Sequence, residues 1–428
     1  MKRKALKSIS AALLAALVAA VLPACRLITT SPTDAGVGVV VKPGVQALPS
    51  ESAENVSTEE TPPADTEETN APAGIETAQS EPEAVSPAPI YRNYLTGKDA
   101  PTDASGLRPI AVVVDNSAPA LAHQTGLDMA DVLYEMPTAP GITRFLAIYS
   151  DYRSAPEICN VREGKAHDVK LASQYNAVLI CHGGHADDNA DYDFYTAVKR
   201  IYGSENAYIN TQKEPAWSAQ NGDKFGTLKY YSDGYRADLK YDTVVNPEAV
   251  DFTVSQKKYS PFAAEGNTIN GEAARAFDMT EALPSGGAAT GITLRFTAAG
   301  VFSPLEKNVS FKYSASEEKY LRFEDSAPHV DSQSGKQLIF DNVLVLCADA
   351  KYIAGDSETD PLTTSVAVYG SGTGYYASHG RYVSVVWVNT AEEGLKLYSP
   401  TGETALSVGN TYIGFVDRTN PSAVTVSG

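Results

Sequence analysis

Residues 178–193 read VLICHGGHADDNADYD, and three changes of character follow one another there. A short apolar run, Val178–Cys181, is the length and composition of a buried strand. His182-Gly183-Gly184 punctuates it, glycine supplying turn geometry that other residues resist. An acidic loop then leads into DYDFYTAVKRIYG (191–203), a helical pattern with acids in its first turn and Gly203 to stop it. Strand, glycine turn and helix in that order are the signature of α/β architecture.

Working outward, IAVVVD (110–115), VLYEM (132–136) and ITRFLAIYS (142–150) are further strand candidates. REGKAHDVKLASQY (162–175) has helical spacing, and a third helix is expected over PEAVDFTVSQ (247–256). Beyond about residue 285 the helical patterns end. GITLRFTA, VSFKYSA, KYLRFED, KQLIFDNVLVLCA, TTSVAVYG, RYVSVVWVNT, GLKLYS, ETALSV and TYIGFVD are short strand-like runs. TLRFT, SFKYS and KLYS alternate polar with apolar residues, so one face of those strands meets solvent. The expected fold class is mixed α+β: an N-terminal α/β domain over 91–270, then an all-β sandwich or partly open barrel over 271–428.

Ninety residues precede these domains. Lys2, Arg3, Lys4 and Lys7 lead an apolar run too short to span a bilayer comfortably, ending Leu22-Pro23-Ala24-Cys25. This reads as a lipoprotein signal peptide over 1–25 with Cys25 as the lipidated residue, against an ordinary secretory signal cut after Ala24. Residues 26–90 hold nine prolines, eleven acids, two bases and no Phe, Trp or Tyr. Such a segment buries too little apolar surface to order itself, and as a flexible tether it reaches about 45 Å. The expected location is the outer face of the bacterial cytoplasmic membrane, with the membrane a partner through the lipid anchor.

The chain carries a net charge of −18. The signal contributes +4 and the tether −9, leaving −13 on the body, which argues against nucleic acid as a partner. With Cys25 lipidated, Cys159, Cys181 and Cys347 remain. A Cys159–Cys181 disulfide and three buried thiols are both open readings.

RPIAVVVDN (108–116), GLDMADVLYE (126–135), GITRFLAIY (141–149), VREGK (161–165) and CHGG (181–184) together resemble the N-terminal domain of the YerB-like bacterial lipoproteins. YLRF (320–323), PHVDSQSGKQL (328–338), DNVLVL (341–346), YGSGTGYY (369–376), HGRYVSVVW (379–387) and VGNTYIGFV (408–416) resemble its C-terminal half. The likeness spans nearly all of 105–420. It departs at 159–165, CNVREGK, where only Val161 and Arg162 match the family's usual Gly-Pro-Val-Arg-Ser-Ala-Arg, and at His185. The resemblance implies a membrane-anchored extracytoplasmic protein and no particular reaction.

Polar residues at strand ends are the candidate ligand cleft: Asp115, Asn116, Glu135, Arg144, Arg162, His182, Gly183 and Gly184. Ligands of open α/β sheets sit beyond the carboxyl ends of strands. The bland alternative is a structural ion-pair network, because a buried Glu or Arg must be paired. Asp187, Asn189, Asp191 and Asp193 imitate the oxygen spacing of a calcium loop, but Tyr192 stands where such a loop needs glycine and Val198 where it needs an acid. Calcium is therefore a weak expectation, and no cofactor is assigned. Gly370-Ser-Gly-Thr-Gly374 reads as a β-turn or bulge rather than a phosphate loop, since no helix follows. The preferred functional reading is a binding lipoprotein that engages an envelope protein or a wall-derived ligand. The alternative is an envelope enzyme acting on peptidoglycan through Asp115, Glu135 or His182.

Overall fold

The run 110–116 is buried along its whole length, as a strand covered on both faces must be. In the computed structural model, which describes residues 90–204, 208–211, 243–247, 250, 268–269, 272–273, 278–296, 306–357 and 360–428, this is β1, Ile110–Asn116. β2 (Val132–Ala139) and β3 (Ile142–Tyr149) form a hairpin beside it, and β4 (Ile158–Val161) continues the sheet. α1 (Ala166–Gln174) follows, then β5 (Val178–Cys181), parallel to β1, and α2 (Phe194–Tyr202). In the C-terminal half lie β6 (Gly291–Phe296), β7 (Lys307–Ser314), β8 (Lys319–Glu324), β9 (Ile339–Phe340), β10 (Asn342–Ala348), β11 (Gly370–Ser378), β12 (Arg381–Thr390), β13 (Gly394–Ser399), β14 (Thr411–Asp417) and β15 (Val424–Ser427).

The fold is β-rich, and one 14-stranded sheet runs through both halves of the body. Its central order is β13-β12-β11-β10-β14-β2-β3-β1-β4. β14 joins the halves by pairing in parallel with β10 on one side and β2 on the other. β10 and β14 are buried throughout, and Ile90–Gly428 gathers into one unit by its contacts. A smaller sheet, β8-β7-β6-β15, has β9 and Ala327–Pro328 also pairing with β8. It lies over one face of the large sheet. Phe311 and Phe340 of the small sheet meet Tyr412 of β14 at 4.6 and 5.7 Å between ring centroids. Gly414 lets β6 come close, because a Cβ there would stand 2.7 Å from Leu294 Cδ2. β6 and β13 alternate as their patterns require, buried on one face only.

Both helices start later than their sequence patterns. Arg162 and Gly164 are still tied to the sheet, Arg162 N–H donating to Val113 O and Gly164 bridging Gly184. α1 begins after Lys165, whose backbone N–H donates to Asp168 Oδ2 at 2.7 Å. α2 begins after Asp193, whose carboxylate caps Thr196 N–H at 2.6 Å. Cys159, Cys181 and Cys347 are buried thiols and no disulfide links them. Gly370–Gly374 lies within β11 rather than in a turn or bulge. A Cβ on Gly372 would stand 2.8 Å from Trp387 Nε1, so glycine is what admits the fully buried indole. The signal segment, Cys25, the tether, most of the helix expected over 247–256 and the 270/271 boundary lie outside the described residues. No helix among the described residues is long and apolar enough to cross a membrane.

Candidate functional site

Side chains alternate across a strand, so the neighbours Asp115 and Asn116 leave β1 on opposite faces. The register carries that division across the sheet. Asp115 pairs with Arg144, while Asn116 pairs with Thr143, and Val114 with Phe145 and Glu135 beyond it. The eight cleft candidates are therefore divided between two faces.

The face beneath the small sheet holds a closed charge network. Glu135 Oε1 accepts from Asn116 Nδ2 (2.9 Å) and Thr143 Oγ1 (2.6 Å), and Oε2 accepts from Arg322 Nη2 (2.7 Å) and Tyr412 OH (2.8 Å). Arg322 Nη1 also reaches Glu324 at 3.1 Å and donates to His329 Nδ1. Lys307 Nζ sits 2.5 Å from Glu324 and donates to the Asn116 carbonyl. His329 Nε2 meets Gln124 Oε1, and Gln124 Nε2 donates to Asn116 Oδ1, which closes the loop. Two carboxylates thus face two cations. Burial pushes the Glu135 carboxyl up, but Arg322, Lys307 and the Thr143 hydroxyl outweigh it and leave it below its ordinary range. Burial, with Arg322 and Lys307 adding to it, drives His329 well below the usual imidazole value, so its ring is neutral. Glu324 and His329 also border a pocket of about 360 Å³ beside Leu121, Pro328 and Val330.

The opposite face gathers Asp115, Arg144 and Arg162 with His182 beside them. Asp115 Oδ2 is 3.5 Å from Arg162 Nε. Arg144 Nη1 donates to Glu163 O at 2.8 Å and stands 3.6 Å from its carboxylate. His185 Nδ1 lies 3.4 Å from the same carboxylate. Burial opposes ionisation of Glu163, yet the His185 hydrogen bond and the Arg144 charge hold its carboxyl down at about 2. His182 bonds Thr211 Oγ1 at 3.0 Å, and burial together with Arg162 lowers its ring. Behind this patch, burial raises Asp168 to about 7. α1 covers the sheet here, Tyr175 OH meeting Tyr134 OH at 2.8 Å.

Gly183 and Gly184 serve packing. Gly183 takes φ +77° and donates its N–H to Asn210 Oδ1, while a Cβ on Gly184 would overlap the Phe194 ring. In the acidic loop, Asp187 Oδ1 accepts from Asn189 N–H, Asn189 Oδ1 from Asp191 N–H, and Asp193 from Thr196 and Asp187 N–H. These oxygens brace the turn leading into α2.

A solvent-open groove of about 670 Å³ contains none of the eight candidates. It is lined from both halves of the body, by Asn93–Pro101, Asp128–Asp131 and the end of β3 on one side, and by β8, β9, Lys336 and Asn410 on the other. Met129, 47% exposed, stands at it.

Comparison with known proteins agrees with this architecture. Residues 95–227 match the family described as "Protein of unknown function (DUF3048) N-terminal domain", and residues 300–413 match its "C-terminal domain". The Bacillus subtilis (strain 168) protein named "Putative lipoprotein YerB" is 24% identical over 294 residues, covering 68% of this chain and 76% of that protein. The crystal structure of the YerB protein from Bacillus subtilis aligns with a TM-score of 0.60 at 19% identity, over 79% of this chain and 99% of that one. Matched by both family domains, in order, and sharing that fold, the chain belongs to the YerB-like two-domain family.

Proposed function

We propose that the protein is a lipid-anchored extracytoplasmic binding lipoprotein, tethered through Cys25 and residues 26–90, whose α/β segment (91–270) and all-β segment (271–428) work as one body that holds an envelope protein or a wall-derived ligand. The relative named as a lipoprotein supports the anchor. The observation that carries the binding reading is the open groove between segments contributed by both halves. Cavities of this size are where ligands are held.

The enzyme reading relied on Asp115, Glu135 or His182 for acid–base work. Glu135 already accepts four hydrogen bonds and is fully buried. Asp115 faces Arg162, and His182 is bonded to Thr211 and nearly buried. A general acid or base needs reach to a substrate proton, and these groups are turned inward.

The test is photo-cross-linking in living cells with the full-length protein. A photoreactive residue replaces Met129 in the groove or Ile201 on α2, which is also exposed. A discrete adduct from position 129 that is missing from 201 supports the reading, and equal or absent adducts overturn it. Replacing Cys25 by Ser abolishes palmitate incorporation if the anchor is as stated.

A further inference from the structure

Met129 stands in the groove with 47% of its surface open to solvent, and the chain places an acid on either side of it, Asp128 before and Asp131 two positions after. On the facing wall, β8 turns Tyr320, Arg322 and Glu324 inward, which leaves Leu321 half-buried on its opposite side. There Leu321 pairs with Ile339 of β9. Met129, Leu321 and Ile339 therefore give the groove an apolar surface drawn from both walls.

Acids outnumber lysines in the lining, five to three. Two of the lysines are already matched, because Lys98 and Lys319 share Asp341, at 2.6 Å from its Oδ2 and 3.6 Å from its Oδ1. The acids around Met129 have uncharged partners. Asp131 accepts from Asn93 Nδ2 and from the N–H and hydroxyl of Ser150. Thr102 and Ser154 both donate to Asp151 Oδ2, at 2.6 and 2.7 Å, and Oδ1 takes no hydrogen bond among the described residues. Asp128 Oδ1 is buried and likewise has no hydrogen-bond partner among them. No lysine or arginine of the described residues stands within ion-pair distance of Asp128, Asp131 or Asp151. Burial pushes the Asp131 carboxyl up, the Ser150 and Asn93 bonds oppose it, and the Asp151 charge adds to the rise. Burial raises Asp128 too, against the Ser334 hydroxyl and the Lys336 charge, with Asp331 adding to it. A cation brought to this wall relieves the repulsion among these carboxylates.

Resting on the binding reading above, we infer that the groove docks a basic segment of a partner protein, with an apolar side chain seated against Met129, Leu321 and Ile339 and a neighbouring lysine or arginine side chain received by Asp151 Oδ1. Asp128 and Asp131 add their field to that contact. A basic protein segment is the occupant whose charge complements the wall, and complementary charge is what steers such partners together. A wall peptide brings carboxylates of its own, which this wall repels. A second copy of this acidic chain is repelled in the same way.

The experiment selects phage displaying random dodecapeptides on the full-length protein in detergent micelles. The most enriched sequence is then made as a terminally blocked peptide and titrated by calorimetry. The selected pool is enriched in Lys or Arg beside Leu, Ile, Val or Phe, and the affinity falls as salt screens the field. Asp151→Asn keeps an amide oxygen for the Thr102 and Ser154 hydroxyls and weakens binding about tenfold, as expected when a hydrogen bond loses its charge. Asp188→Asn removes the same charge from the exposed loop ahead of α2 and changes affinity by less than about twofold, because a distant exposed charge is screened. Met129→Gln, at an exposed position, weakens binding about threefold or more by removing apolar contact, and it carries the test if Asp151→Asn lowers the urea midpoint. A pool without basic enrichment, no enrichment at all, equal losses from Asp151→Asn and Asp188→Asn, or displacement of the peptide by soluble wall fragments overturns the inference. If that happens while the position-129 adduct persists, the binding reading stands and only its ligand is wrong. Loss of both removes the reading itself.

Discussion

Substituting Glu135→Gln tests the closed network directly. The change is nearly isosteric but removes one of the two carboxylates that balance Arg322 and Lys307. Glu135 Oε2 accepts from Arg322 at 2.7 Å and from Tyr412 at 2.8 Å, while Oε1 accepts from Asn116 and Thr143. Each carboxylate oxygen faces one obligate N–H donor, Asn116 Nδ2 on one side and Arg322 Nη2 on the other, so the amide NH₂ of glutamine opposes one of them whichever way it is placed. One cation is left uncompensated at a position with no exposed surface. Removing one partner of a buried pair destabilises by about 3–5 kcal/mol. Urea unfolding followed by far-UV circular dichroism reads this as a lower midpoint at constant slope. The companion variant Glu135→Leu with Arg322→Met leaves Lys307 and Glu324 paired at 2.5 Å, so charge balance is restored with apolar volume. Its loss should fall short of the sum of the two single losses by about 2 kcal/mol, within the range for groups sharing a network. A Glu135→Gln loss below about 1 kcal/mol, or single losses that add within about 0.5 kcal/mol, would refute the claim that this cluster is a balanced ionic core.

Three further outcomes are expected. The Asp168 carboxyl is raised by burial from its ordinary range to about 7. The folded state therefore keeps a proton that the unfolded chain releases near pH 4, a contribution complete below about pH 4 and lost as pH rises through about 7. Asp168→Asn keeps an acceptor for the Lys165 N–H, so its melting temperature should gain on the wild type steadily from pH 4 to 7. A difference independent of pH would count against the assignment. Gly184→Ala drives a methyl into the Phe194 ring and should destabilise by about 1–3 kcal/mol. Phe194→Leu in the same chain should return part of that in urea titration, and no return would mean the strain lies elsewhere. Asp193→Ala removes the cap on Thr196 N–H and should lower stability by about 1 kcal/mol. Earlier amide exchange in the first turn of α2 is the local readout, and unchanged exchange there would show the cap to be idle.

Asp115, Glu135, Arg144 and Arg162 were legible because each interrupts or ends an apolar run, and an ionisable group in such a place must have a partner. The partner of Glu135 was not legible. In YLRFED the apolar alternation nominates Leu321 and Phe323 as the core face, whereas the structure buries Tyr320, Arg322 and Glu324 instead. Hydrophobic alternation identifies a buried face only when the buried side chains are apolar. Here Glu135, 187 positions away in sequence, makes burial of Arg322 tolerable. A faint signal did exist, since Lys307 continues the buried side of KNVSF with Val309 and Phe311. The helix starts at Lys165 and Asp193 fell a few residues inside their periodic patterns, because the residues ahead of them are committed to sheet hydrogen bonds and capping that periodicity does not encode.

The groove shows a deeper limit on reading this chain from its sequence. Its walls come from segments near 93–101, 128–131, 149–154, 317–321, 336–339 and 410, and none has composition that marks a site. They meet because β14, almost the last strand of the chain, inserts between β10 and β2 with parallel register on both sides. Parallel neighbours require the chain to return across the sheet before it can pair. The contacts that hold Lys98 against Asp341, separated by 243 positions, therefore follow from strand order rather than from local pattern. A composition shift divides the sequence into successive segments, but the hydrogen bonds of β14 put their surfaces side by side. On this view the binding face belongs to the assembled sheet. A fragment ending before β14 would keep every residue that lines the groove, but it would lack the strand that joins β2 to β10 and so brings those residues together.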